Sequence, residues 1–290
     1  MPTIEIDGVN IEYRVYGEGV PVFLVAGRRQ GRDAFRPLAR AMGDRVQVIL
    51  WDRPNTGESD LYLKAEPSEQ EAWADMGAEL ARRLELSPAY FGGGSAGCRN
   101  AVMTAIRHPD VVRGLLLFMA TGGPFACQNL GYSYHTPYIR AAQTGGMQAV
   151  AQTPHFAERI QKNPRAEKQL LSMDPDEFIR MMFKWNETFY YREDTPVVGA
   201  TEDQLRGLKM PTLLMHGNDD HHTRATSDRL AKLLPNVEQV DTPWTEDEYH
   251  KLTANVVPGK TMGRDILPRL ADPFCAFVQK TEAKLQPVAR

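Results

Sequence analysis

A serine set among glycines is the residue best placed to do chemistry. It lies in Phe91-Gly92-Gly93-Gly94-Ser95-Ala96-Gly97-Cys98, where Gly93, Ser95 and Gly97 spell G-x-S-x-G, the pattern of a nucleophile elbow. Such a turn is too tight for side chains on either flank, and it pushes the hydroxyl out at the top of a strand, where a base can reach it. Other reactive side chains are less well placed. Cys98, Cys127 and Cys275 are odd in number and lack C-x-x-C spacing, so they read as reduced, packed thiols rather than a zinc or redox site. Cys98 lies near the start of a predicted helix, a place that lowers a thiol pKa, although a buried cysteine there is a small apolar residue. His221-His222 beside Asp219 and Asp220 suggests a metal. Adjacent residues rarely share a coordination sphere, however, and no further ligand has the right spacing, so neither metal nor cofactor is expected.

The serine must be held by strands and helices, and both periodicities are visible. Ile4 and Ile6, then Ile11, Tyr13 and Val15, flank Asp7-Gly8 as a β-hairpin. Short apolar runs follow at 22–25, 46–50, 90–91, 115–118, 212–215 and 237–240, which suit strands buried on both faces. Between them, 34–42, 67–84 (with Pro67 near a first-turn position), 96–106 and 227–234 read as helices. Strands alternating with helices imply an α/β fold with a mostly parallel, doubly wound sheet. The stretch 122–207 breaks this rhythm with helical segments at 137–143 and 175–185 and no buried strand. The predicted organisation is therefore a core of 1–121 and 208–290 with an inserted helical cap of 122–207. The cap carries Tyr132, Tyr134, Tyr138, Phe183, Trp185, Phe189, Tyr190 and Tyr191, most of which are expected to form its own core. A cap over a nucleophile also walls a pocket.

The chain has 290 residues, 42% hydrophobic and 24% charged, with a formal net charge of -3 and scattered arginines. These features give no basic stripe for nucleic acid. No apolar run has the length of a membrane span, and Met1-Pro2-Thr3-Ile4-Glu5 does not resemble a leader, so a soluble cytoplasmic protein is expected.

Four landmarks in order resemble the α/β-hydrolase superfamily over nearly the whole chain outside the cap. Phe23-Leu24-Val25-Ala26-Gly27-Arg28 is similar to the strand and loop that supply part of the oxyanion hole. Trp51-Asp52-Arg53-Pro54-Asn55-Thr56-Gly57-Glu58-Ser59 resembles the D-R-x-G-x-G-x-S turn. The Ser95 elbow is the third, and Pro211-Thr212-Leu213-Leu214-Met215-His216-Gly217-Asn218-Asp219-Asp220 is similar to the strand and loop that carry the acid. The resemblance implies a triad in the order Ser95, Asp220, His250, with Asp219 as the competing acid and His250 30 residues after Asp220. It also implies an oxyanion hole from the backbone N–H groups of Arg28 and Ala96. In such a set imidazole takes and returns the serine proton, and the carboxylate orients the ring and stabilises imidazolium.

The sequence departs from the family at Ala26 and Gly94, where histidine is common. Their small size leaves room beside the nucleophile or lets another group fill it. Arg28 or Arg29 could reach that space and pair with a substrate carboxylate or phenolate, and Trp185 is a further candidate for substrate binding. The acidic run Trp244-Thr245-Glu246-Asp247-Glu248-Tyr249 reads as a solvated loop, and an unusual stretch, 251–264, follows His250. The expected activity is hydrolysis of a small ester, lactone, thioester, amide or activated C–C bond, with the aromatic cap favouring an aromatic or alicyclic substrate. Two rivals remain on the same scaffold: a cofactor-free enzyme such as an oxygenase using the histidine–aspartate pair as base, and a low-turnover receptor. The serine argues against the epoxide-hydrolase and dehalogenase branches, which need a carboxylate there.

Overall fold

The computed structural model describes residues 2–254 and 262–285. Eight strands form one sheet: β1 (Thr3–Ile6), β2 (Val9–Tyr16), β3 (Pro21–Val25), β4 (Gln47–Trp51), β5 (Ala89–Gly94), β6 (Val112–Phe118), β7 (Thr212–Met215) and β8 (Val237–Val240). Their spatial order is β1-β2-β4-β3-β5-β6-β7-β8. Asp7 and Gly8, at φ 51 and 79, make the tight turn of the β1–β2 hairpin. β2 runs antiparallel to β4, and every pair from β4 to β8 is parallel.

Apolar runs without alternation form the central strands because helices cover both faces. Phe23, Ile49, Phe91, Leu115 and Leu117 enter one core, while Val22, Leu24, Val48, Leu50 and Leu116 enter the other. β8 differs from the sequence expectation: among the described residues it pairs with β7 alone, and none of its residues is fully buried. The flanking helices are α1 (Arg36–Met42), α2 (Glu69–Arg83), α3 (Ala96–Arg107), α9 (Arg224–Leu233), α10 (Glu246–Ala254) and α11 (Ala271–Leu285). α2 begins with a Ser68–Glu71 capping box, so Pro67 lies ahead of the cap rather than in the first turn.

The cap helices, α4 (Pro124–Ala151), α5 (Pro154–Lys162), α6 (Arg165–Leu171), α7 (Pro175–Asn186) and α8 (Glu202–Gly207), all lie between β6 and β7. α4 extends well beyond the expected 137–143, with a kink at Gly145 and Gly146. Of the cap aromatics, Tyr138, Trp185 and Phe189 are buried, whereas Tyr132, Phe183, Tyr190 and Tyr191 are exposed, so the cap core takes fewer than the sequence suggests. Among the described residues, no helix is long and apolar enough to cross a membrane.

The chain passes from β3 to β4 on one side and then returns to β5 on the other. Such a reversal leaves a crevice beyond the carboxyl ends of the strands. The loop after β3 and the turn after β5 both open there.

Candidate active site

Ser95 occupies the single residue between β5 and α3, at φ 56 and ψ −116. A non-glycine residue held in this region costs about 1–3 kcal/mol and persists only where its surroundings over-determine it. Here they do. The Ser95 N–H donates to the Met119 carbonyl at 3.1 Å, and the Ser95 carbonyl accepts from the Arg99 N–H at 3.1 Å. A Cβ on Gly93 would stand 2.3 Å from the Val25 oxygen, and one on Gly97 2.0 Å from the same atom. The end of β3 thus lies too close to the elbow for any side chain at either glycine. Gly94 is constrained from another side, since its Cβ would meet the Phe118 ring at 2.4 Å. The space beside Gly94 is therefore filled by Phe118.

The serine opens into a cavity of about 640 Å³ whose lining includes Gly27, Arg28, Phe35, Phe118, Met119, Tyr134, Asp219, His221, His222 and Tyr249. Arg28 is exposed, with φ 50, on the loop after β3, and Ala96 is the first residue of α3. An N–H in a helix's first turn has no partner inside the helix, which leaves it available to an oxyanion.

The acid and base expected from sequence lie elsewhere. Asp220 and His250 line a neighbouring depression of about 490 Å³, together with His216, Asp241 and Glu246. Ser95 does not line it, and His250 does not line the serine cavity. The reason is helical geometry: the supposed solvated loop forms α10, capped by reciprocal Thr245–Glu248 hydrogen bonds. Trp244 just ahead of the helix and Tyr249 within it are buried. Successive helix positions are rotated by about 100°, so turning Tyr249 inward carries His250 outward, where its Nε2 lies 3.5 Å from Glu246. Much of the stretch 251–264 lies outside the described residues.

Asp219, the competing acid, lines both cavities. It faces His222, whose Nδ1 lies 2.8 Å and 3.0 Å from the two carboxylate oxygens. Asp219 also accepts the backbone N–H of His221 at 2.9 Å, that of His222 at 3.0 Å, and the Tyr249 hydroxyl. Burial alone would raise its pKa, but the His222 interaction and these hydrogen bonds outweigh it and hold the carboxyl well below its ordinary range. Burial and the Asp219 bond together push the Tyr249 phenol up. His222 is buried, and its Nε2 has no hydrogen-bond partner among the described residues. The loop folds tightly enough that a Cβ on Gly217 would lie 1.8 Å from the His222 oxygen. The three-residue interval from Asp219 to His222 was the available signal for this pair.

His221 points to a different partner than His222: its Nε2 lies 2.9 Å from Asn129 on α4, and its ring is 5.1 Å from Phe125, so it ties the cap to this loop. Burial lowers its pKa. Arg29 and Trp185 are absent from the lining of the serine cavity. Arg29 pairs with Glu69 at 3.0 Å. Trp185 donates to the Lys64 carbonyl at 2.9 Å and stacks on Tyr62. At Cys98 burial overrides the helix terminus and pushes the thiol up to about 12. Asn55, at φ 66, does more than turn the chain, because its side chain bonds Tyr62 and Glu69.

Residues 22–253 match the model of the alpha/beta hydrolase family. The chain is 27% identical over 255 residues to the uncharacterized hydrolase YraK of Bacillus subtilis, covering 84% of this chain and 86% of that one. Among solved structures, the enol-lactonase from Burkholderia xenovorans LB400 superposes with a TM-score of 0.59 at 19% identity, over 97% of this chain and 100% of its own. A thermophilic esterase from Thermogutta terrifontis gives a TM-score of 0.58 at 21% identity, over 97% and 96%. At these identities the likeness of structure shows the fold.

Proposed function

The chain belongs to the alpha/beta hydrolase family, and from that premise we propose that it is a serine hydrolase of small esters or lactones with Ser95 as nucleophile. The observation that carries this reading is the strained Ser95 backbone at a strand–helix turn, opening on a cavity shared with His222 and Asp219. With Nδ1–H donated to Asp219, the lone pair of His222 is on Nε2, the nitrogen a general base needs. His222 Nε2 takes the Ser95 hydroxyl proton as Oγ attacks the acyl carbonyl. The backbone N–H groups of Ala96 and Arg28 receive the oxyanion. Imidazolium then protonates the leaving alcohol as the carbonyl reforms, giving an acyl-serine, and water reverses these steps with the same base to release the acid.

Asp219 and His222 take the roles that sequence order assigns to Asp220 and His250, because they share the serine's cavity. Lactone and ester cleavage also fits the activities for which the enol-lactonase and the thermophilic esterase are named. Three buried cysteines without disulfides fit a cytoplasmic location. The test is a fluorophosphonate probe on folded protein. Wild-type chain should be labelled at Ser95 and Ser95→Ala should not; absence of labelling in the wild type sinks the covalent mechanism.

A further inference from the structure

Behind the elbow lies a group of buried cations that the hydrolytic machinery above does not use. Arg53 and Arg99 are 1% and 3% exposed, and the Arg29 side chain is 8% exposed. Arg99 sits one turn along α3 from Ser95, and its own N–H bonds the Ser95 carbonyl. Its guanidinium lies 4.9 Å from the Phe189 ring centroid, and its Nε and Nη1 are buried without hydrogen-bond partners among the described residues. Arg53 donates through Nη2 to the carbonyls of Ala26 and Arg28, the loop beside the serine, and its Nη1 has no hydrogen-bond partner among the described residues. Arg29 reaches Glu69, while its buried Nε has no hydrogen-bond partner among the described residues.

Glu69 pairs directly with Arg29 alone and accepts from Asn55 through its other oxygen, and its charge acts on Arg53 and Arg99 only through space. Burial, followed by repulsion from Arg99, pushes Arg53 down to about 9. Burial likewise lowers Arg99. Arg53 also stacks on Trp73, its guanidinium carbon 4.2 Å from the ring centroid, but aromatic faces and carbonyls offset only part of the cost of burying a charge, and the Nε and Nη groups named above are left without acceptors among the described residues. The arrangement makes sense if an anion completes it: guanidinium offers a planar fork that matches a carboxylate, and desolvation strengthens the pair. Tyr134 connects the cluster to the serine. It lines the Ser95 cavity, and its ring centroid is 5.4 Å from the Arg29 guanidinium carbon.

We propose that Arg99, with Arg53 and Arg29, forms a carboxylate subsite reached from the Ser95 cavity past the Tyr134 ring, so that the substrate is an ester or lactone bearing a second, free carboxylate. This rests on the serine-hydrolase reading for the word substrate, but not for the binding of the anion. The bound carboxylate anchors the far end of the acyl chain while the scissile carbonyl sits at Ser95.

Two 4-nitrophenyl esters test it, the neutral butyrate and the anionic hydrogen glutarate, with free glutarate as a ligand. Wild-type enzyme should prefer the anionic ester. In Arg99→Met the ratio of kcat/KM for anionic over neutral ester should fall at least tenfold, carried by KM. Glutarate should raise the wild-type Tm and do so far less in Arg99→Met. An unchanged ratio in folded Arg99→Met overturns the proposal, and so does a wild-type preference for the butyrate, which needs no variant. A Tm rise that chloride or formate reproduces, with the ratio unchanged, means a small-ion site unrelated to substrate and also overturns it. Should neither ester be cleaved, the hydrolase reading falls, while an Arg99-dependent glutarate shift still supports the subsite; no shift overturns the subsite too.

Discussion

The two sides of the serine cavity are built in different ways. On the Ser95 side, the two flanking glycines of the turn are fixed by backbone packing: a Cβ on Gly93 or Gly97 would collide with the Val25 carbonyl, and Ser95 is the non-glycine residue held between them. On the acid–base side, the loop after β7 and the helix after β8 meet through side chains, with Asp219 gathering bonds from His222 and Tyr249. A backbone-built turn can be recognised from five residues. A side-chain-built pair depends on which of two adjacent aspartates, and which of several histidines, turns inward.

The largest expected effect tests that pairing. His222→Gln should lower kcat/KM for ester hydrolysis by about 100- to 10,000-fold, the range for loss of a general base, while His250→Gln should change it by less than about fivefold. The reverse ranking would show that sequence order, not cavity sharing, identifies the base.

The backbone side breaks differently. Gly97→Ala must move the Val25 carbonyl, since its Cβ would fall 2.0 Å from that oxygen. It should destabilise by about 3 kcal/mol or more in urea titration. His250→Ala, on an exposed helix face, should stay within about 0.5 kcal/mol.

A smaller effect is expected at Tyr249, whose hydroxyl bonds the ionised Asp219. Tyr249→Phe should lose about 1.5 kcal/mol, the contribution of a hydrogen bond to a charged group, as read by the shift in urea midpoint. An unaltered midpoint argues that the bond adds nothing to stability.

The smallest and most diagnostic effect is one of pH. Because the Asp219 pKa is lowered in the folded state, its contribution is fully present above the unfolded carboxyl value, about 3.9, and is lost as pH falls through the lowered native value. The Tm advantage of wild type over Asp219→Asn should therefore be present at pH 6 and shrink toward pH 2.5. A gap that widens on acidification reverses the sign and removes the stabilising role of the Asp219 carboxylate.

Much of this was legible in the chain. The apolar runs at 22–25, 115–118 and 212–215 read as buried strands because a strand covered on both faces needs no alternation. β8 did not follow this rule, because an edge strand lacks a neighbour to bury its outer side. The run 244–249 differs from its sequence reading because acidic residues look solvated until their tertiary partners are known. The exposed Tyr132, Tyr190 and Tyr191 were overestimated as core for the converse reason.

By itself the sequence determined the alternation of strand and helix, the inserted cap helices and the G-x-S-x-G turn, because periodicity and glycine sterics act over a few residues. The tertiary structure alone decided that Phe118 fills the space beside Gly94, that α10 turns Tyr249 inward and His250 outward, and that three arginines from separate segments meet behind Ser95. These depend on contacts between residues far apart in the chain, where the burial of one side chain sets the direction of the next.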